Sequence, residues 1–162
     1  MQTHPMRRKK RELSEAETLA IMNNGEYCVL ATVGADGQPY GVPLSYVYID
    51  GKIFFHCTHK GHKLSNLQAN ERCSLTVIGK TQVIYDKDFT TYFESAIAFG
   101  KAYEVTEEDE KRSALMALIM KYLPEHKDKA DGDIARSIKA TAIYCIDVNH
   151  MTGKAKRAGG AG

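Results

Sequence analysis

The sequence predicts a mainly β protein, a small antiparallel barrel with peripheral helices. Three observations carry this expectation. The tight-turn dipeptides Asp36-Gly37 and Asp50-Gly51 join consecutive β-prone runs, so the strands meander instead of crossing over. The helical segments fall between strands at irregular intervals, which argues against a doubly wound parallel sheet. With 162 residues and 43% hydrophobic content, the chain suits one globular domain with its own core.

The elements follow in order. Ser14 and Glu17 have the spacing of a capping box, so a helix starts after Ser14 and runs to about Asn23, with Leu19 and Met22 on one face. Tyr27–Val33 is the first strand. Tyr40–Ile49 is its return partner, with Pro43 marking a bulge or an edge because it cannot donate to a ladder. Lys52–Cys57 is the third strand. A short helix covers His62–Gln68, and Arg72–Ile78 is a fourth strand. Gly79–Thr91 reads as a loop or a strand extension, and Tyr92–Val105 as a long strand with a bulge at Gly100. Thr106-Glu107-Glu108-Asp109-Glu110 opens a helix with the acidic first turn that the helix dipole favours, and Leu115, Leu118, Ile119 and Tyr122 give it an apolar face. Asp131–Ser137 is helical, and Lys139–Val148 is the last strand. About six strands result.

Charge and sulfur set further bounds. The net charge is only +2, so the whole molecule is not built to bind a polyanion. Arg7-Arg8-Lys9-Lys10-Arg11 makes residues 1–12 a basic arm, residues 13–150 form the domain, and residues 151–162 read as a flexible tail. Both basic ends read as solvated flanks, and nucleic acid is not the expected partner. Cys28, Cys57, Cys73 and Cys145 show no CxxC spacing, and Met1–Lys10 has no apolar signal region. Reduced cysteines and a cytoplasmic setting follow as expectations. No run approaches the ~18 apolar residues that span a bilayer, so no membrane partner is expected.

The chemistry concentrates between His56 and Lys63, where three of the six histidines lie. An apolar strand feeds a turn with a hydroxyl (Thr58), two lysines (Lys60, Lys63) and a glycine (Gly61), and the turn opens a helix. The first N–H groups of a helix lack intrahelical partners and lie at the positive end of its dipole, so this is a recipe for holding a phosphate. A metal reading competes, because His56, Cys57, His59 and His62 are all ligand types. Two lysines in the same loop would repel a cation, and no metal is expected. Cys57 beside His56 and His59 has the composition of an activated thiol, with a packing role as the plainer reading. The P-loop and GxGxxG patterns are absent.

Several segments, taken in this order, resemble a known family: Leu30-Ala31-Thr32-Val33, Asp36–Tyr40, Val42-Pro43-Leu44-Ser45-Tyr46, Ile53–His56 and Gly61-His62-Lys63-Leu64-Ser65-Asn66-Leu67. The family is the pyridoxamine 5′-phosphate oxidase-like FMN-binding split-barrel flavoproteins, and the resemblance spans roughly residues 6–148. Within it the chain looks most like the Nim-type branch, related to 5-nitroimidazole resistance and nitroreductases. Met6–Glu12 is similar to the basic leading motif of that branch, and Ser95–Ala102 also fits.

The resemblance implies a split barrel that dimerises with FMN at the subunit interface. It implies that Thr58, His62 and Lys63 grip the FMN phosphate, with Cys57 and Lys60 beside them. His62 stands where Arg or Ser is commoner, which makes part of the grip sensitive to pH. Main-chain groups of Pro43, Leu44, Ser45 and Tyr46 would line the flavin ring, Ser95 would reach it from the other subunit, and His56 would serve as catalytic proton donor. The implied function is an FMN-dependent oxidoreductase passing electrons from NAD(P)H to a small, nitroaromatic-like electrophile. A non-enzymatic flavin- or haem-binding carrier or sensor is the alternative. The segment Asp147–Lys154 shows no arginine-and-histidine motif for a substrate phosphate, so oxidation of a pyridoxine phosphate is not expected.

Overall fold

A computed structural model describes residues 4–86 and 88–158. Seven antiparallel strands form one sheet: β1 (Cys28–Val33), β2 (Pro39–Leu44), β3 (Val47–Ile49), β4 (Lys52–Cys57), β5 (Arg72–Asp86), β6 (Asp88–Glu104) and β7 (Ala142–Lys156). Four α-helices decorate it: α1 (Glu15–Asn24), α2 (His62–Ala69), α3 (Glu108–Tyr122) and α4 (Lys127–Ser137). The strand order is β2-β1-β5-β6-β7-β4-β3. Among the described residues no helix is long and apolar enough to cross a membrane.

The mainly β, split-barrel expectation holds, with one more strand than expected. The single return strand Tyr40–Ile49 is in fact two strands, and they lie at opposite edges of the sheet. The physical reason is Tyr46. Its side chain leaves the ladder and plugs the core at 0% exposure, and its hydroxyl donates to the Met22 carbonyl at 2.5 Å. Ser45 and Tyr46 therefore carry the chain from one sheet edge to the other. Pro43 lies on the edge strand β2, where its missing N–H costs no ladder bond on the outer side.

The helix α1 begins as the sequence predicts. Ser14 and Glu17 cap each other reciprocally, with Glu17 N–H donating to Ser14 Oγ at 3.3 Å and Ser14 N–H to Glu17 Oε2 at 3.1 Å. Its buried face is Thr18, Ile21 and Met22, while Leu19 is only half-buried. Gly25 ends it where a Cβ would lie 2.2 Å from Val77 and 2.8 Å from the Tyr46 hydroxyl, so only glycine lets the helix settle on the barrel.

The interior of the barrel is filled by Leu30, Tyr46, Phe55, Leu75, Val77 and Ile146 among others. A second, smaller cluster of Phe54, Val105, Ala114, Ile143 and Cys145 lies on the outer side of β4 and β7, under α3. Those strands are covered on both faces, which explains why residues 142–146 are apolar without alternation.

The strand-extension reading of Gly79–Thr91 is the one that holds: residues 79–86 continue β5 and residues 88–91 begin β6 in a long hairpin. Two further expectations are corrected. The irregularity at Gly100 places the extra residue on β7, since Phe99 pairs with His150 and Gly100 with Val148. Residues 151–156 are not a tail but the end of β7, and residues 159–162 lie outside the described residues. The C-terminal strand is also tied down. Leu13 N–H donates to Gly153 O at 3.0 Å, Glu12 bridges Lys154, and Arg157 bonds Glu17 at 2.6 Å and Glu94 at 2.7 Å. The basic arm thus joins the sheet at Glu12. The last strand starts at Ala142 and α4 at Lys127, a few residues from their expected places.

Two tests follow. Tyr46→Phe leaves the Met22 carbonyl without its buried partner and should cost about 1–3 kcal/mol in urea unfolding. The Glu17 carboxyl is held at about 2, first by its hydrogen bond from Arg157 and then by Ser14. Its folded value lies below the ordinary 4.5, so its stabilisation is present above that pH and is lost as pH falls toward 2. The stability difference between wild type and Arg157→Ala should therefore shrink across that interval, as read by thermal melts.

Candidate functional site

The turn leaving β4 is built from its own residues. Thr58 Oγ1 donates to Lys60 O at 2.8 Å and fixes the turn. Gly61 follows with φ +136°, a conformation that L side chains rarely adopt, and it caps α2 with no side-chain acceptor. Leu64 and Ser65 N–H donate to Gly61 O, so the N–H groups of His62 and Lys63 precede the intrahelical ladder. The His62 ring packs on Tyr40 with centroids 4.0 Å apart. Farther along, α2 is anchored by buried Leu64 and Leu67, and Asn66 Nδ2 donates to Thr32 Oγ1 at 3.0 Å. Thr58, Lys60 and His62 are exposed and Lys63 is half-buried. The structure thus brings Thr58, Lys60, His62 and Lys63 together at one helix start.

His59 points elsewhere. Its Nδ1 lies 3.9 Å from Glu104 Oε1. Among the described residues, no three His, Cys, Asp or Glu side chains converge as a metal site needs.

Beside the turn lies a cleft of about 390 Å³ between the barrel and α3. Ser45 and His56 line it from the barrel, and Leu115, Leu118, Ile119 and Tyr122 line it from α3. His56, which lines the cleft, stands two residues before Thr58 in the chain. The Tyr122 hydroxyl closes the inner wall, accepting from Tyr46 N–H at 3.0 Å and donating to Tyr46 O at 3.0 Å. Lys121 Nζ lies 3.7 Å from the centre of the Tyr46 ring, buried without a hydrogen-bond partner, and burial lowers its pKa.

The other expected residues fall as follows. Pro43 is exposed and Leu44 half-buried at the end of β2, next to Ser45. Tyr46 is a core residue whose main-chain polar groups are both taken by Tyr122, so it is not free to contact a ligand as expected. Cys57 is half-buried and burial pushes its thiol up, the opposite of an activated nucleophile. Ser95 lies on β6 between Ile78 and Lys154. Nine residues separate it from Glu104 on one strand, roughly 30 Å at ~3.3 Å per residue. One copy of the chain therefore does not bring Ser95 to the turn.

The α3 wall escaped the sequence reading, which took Leu115, Leu118, Ile119 and Tyr122 only as a core-facing stripe. The available signal was Tyr122, a phenol on an apolar face whose hydroxyl must find a partner when buried.

The pyridoxamine 5′-phosphate oxidase family profile matches residues 14–155. No curated protein matches the chain. Among solved structures, a candidate 5-nitroimidazole antibiotic resistance protein of Bacteroides thetaiotaomicron aligns with TM-score 0.76 and 23% identity, covering 89% of this chain and 86% of that one. The flavocytochrome Anf3 of Azotobacter vinelandii aligns with TM-score 0.84 and 18% identity, covering 96% and 74%. An FAD and haem binding protein of Mycobacterium smegmatis aligns with TM-score 0.78 and 16% identity, covering 95% and 77%. At these identities the structures speak for the fold, and the profile, which takes in most of the chain, decides the family. This chain belongs to the pyridoxamine 5′-phosphate oxidase family.

Proposed function

We propose that the protein is an FMN-dependent oxidoreductase acting on a small electrophile, with nitroaromatics as the class to test first. One observation carries the reading. The exit of β4 joins an uncapped, cationic helix start to an apolar cleft bearing Ser45 and His56. A flavin mononucleotide needs that pairing, an anion grip beside an apolar seat for a flat ring. The fit is supported by Gly61, which offers open space and no side-chain cap, and by Lys60, Lys63 and His62 beside it.

Lys60, His62 and Lys63 would hold the phosphate, and Thr58 would join them by turning its hydroxyl from Lys60 O. The main chain of Pro43, Leu44 and Ser45 would line the ring, in a homodimer where Ser95 of the partner subunit completes the site. Bound FMN would supply hydride and electron transfer from NAD(P)H. His56, exposed at the cleft, would give a proton to a substrate there. The raised phenols and thiols around the site stay protonated at neutral pH and hold the walls without competing as nucleophiles. The reduced cysteines suit a cytoplasmic setting.

A second reading, a flavin- or haem-binding carrier or sensor, is favoured by the names of two similar structures, a flavocytochrome and an FAD and haem binding protein. Purified protein separates the readings. FMN should raise the melting temperature and give a yellow complex, and failure of both would end the cofactor proposal. NAD(P)H oxidation stimulated by a nitroimidazole supports the enzyme; bound flavin with no such turnover supports the carrier. Lys63→Ala removes a charge-assisted contact worth about 1.5–3 kcal/mol, so FMN should bind roughly 10- to 100-fold more weakly in a fluorescence titration.

A further inference from the structure

A closed circuit of contacts ties the start of α2 to β1 and β2. Thr32 of β1 is the register partner of Tyr40 of β2. Its hydroxyl donates to Tyr40 O at 3.4 Å and accepts from Asn66 Nδ2 of α2 at 3.0 Å. Four residues before Asn66, one helical turn back on the same face, stands His62, the first residue of α2. Its ring packs on the Tyr40 ring with centroids 4.0 Å apart and planes inclined by 31°. Hydroxyl, phenol, imidazole and amide thus run from Thr32 back to Thr32.

The inner half of this circuit is buried. Thr32 and Asn66 are 2% and 4% exposed. A buried amide and a buried hydroxyl cost free energy unless they find partners, and these two bond each other. Adhesion alone does not require them, because Leu64 and Leu67 already bury the same helix. Apolar burial is non-directional, however, and lets a helix roll or slide on its seat. A hydrogen bond has a preferred distance and angle, so the Asn66–Thr32 bond sets the roll and height of α2 against β1.

The outer half is open to solvent. His62 is exposed and Tyr40 half-buried. Two other exposed histidines lie near carboxylates, His59 at 3.9 Å from Glu104 and His126 at 3.7 Å from Glu125. Among the described residues His62 has no carboxylate beside it and rests on a ring instead. A phenol face attracts imidazole in either protonation state, by ring packing when neutral and through its quadrupole when charged. A carboxylate would take an N–H donor and cancel the charge. The ring restrains His62 without spending what an anion needs from it.

We propose that Tyr40 and Asn66 are positioning residues for the phosphate grip: the Tyr40 ring restrains the His62 imidazole, and the Asn66–Thr32 bond fixes the helical turn that carries it. This rests on the FMN reading above and adds what sets the geometry of the grip. Restraint present before binding lowers the ordering cost of the complex. The benefit falls only on a ligand that reaches His62 with an anion. FMN does so, and riboflavin, the same ring system without the phosphate, does not.

Fluorescence titration of the full chain with FMN and with riboflavin tests it. Wild type should bind FMN more tightly than riboflavin. Tyr40→Ala should weaken FMN roughly 3- to 10-fold, the worth of an aromatic pair, and leave riboflavin within about twofold of wild type. Tyr40→Phe keeps the ring and should match wild type. Tyr40→Ala/His62→Ala should lose no more FMN affinity than His62→Ala alone, because Tyr40 acts through His62. Thr32→Val removes the acceptor for Asn66 and should show the same selective loss. Tyr40 lies half-buried on an edge strand, so its variants decide the matter if Thr32→Val does not fold. A wild type with no preference for FMN would overturn this proposal together with the phosphate reading. An FMN preference that survives Tyr40→Ala, an equal loss for both flavins, additive losses in the double variant, or a folded Thr32→Val with wild-type affinity would overturn the positioning role and leave the phosphate reading standing.

Discussion

The fold depends on one constraint: two residues must carry the chain between opposite edges of a sheet. Ser45 and Tyr46 do so, and Tyr46 makes the crossing stable. Its ring fills the barrel end, its hydroxyl reaches the last turn of α1 at Met22, and its main chain is held by Tyr122 of α3. Three elements far apart in sequence converge on one tyrosine. The two edges of the sheet are thereby drawn together without a ladder of hydrogen bonds between β2 and β3 among the described residues. The cleft exists because this crossing leaves Ser45 at the surface while Tyr46 turns inward.

The same arrangement explains the electrical character of the site. Apolar burial raises the phenols of Tyr46 and Tyr122 and the thiols of Cys28 and Cys57, in each case chiefly by desolvation. Cys28 is pushed up to about 12. Lys121 is pushed the other way and rests against the face of Tyr46, where the ring's negative quadrupole replaces a hydrogen bond. The inner wall of the cleft thus sets the Tyr122 phenol beside Lys121 and the Tyr46 ring. Lys60 and Lys63 add positive charge at the turn from Thr58 to Lys63, and Glu104 Oε1 lies 3.9 Å from His59 Nδ1.

Much of this was legible in the residues. Asp36-Gly37 and Asp50-Gly51 are turns, with Gly37 and Gly51 both at φ +83°, because those dipeptides tolerate backbone that other residues resist. The capping box sits where Ser14 and Glu17 place it. The turn after β4 opens a helix as expected, since Gly61 and the apolar spacing that follows are local signals. The split of Tyr40–Ile49 was not legible. Both halves share one β-prone pattern, and the break is imposed from outside by Met22 and Tyr122, 24 and 76 residues away from Tyr46. The cleft was hidden for the same reason, because half of its wall comes from α3. Pairing across long sequence separations leaves no periodicity to read.

The strand order has a consequence for how the chain assembles. Among the described residues β7 is the only strand that joins the block β2-β1-β5-β6 to the hairpin β4-β3, and it follows all of them in the chain. On a ribosome the first block can pair as soon as β6 emerges, while the β3–β4 hairpin waits with its apolar residues Ile53 and Phe55 uncovered. Only the final strand, slotted between β6 and β4, completes the wall. Such late closure by non-local contacts slows folding and prolongs the exposure of sticky edges during synthesis. A nascent chain that stalls before residue 142 would therefore be a natural target for chaperones and proteases, whereas one that finishes β7 escapes both.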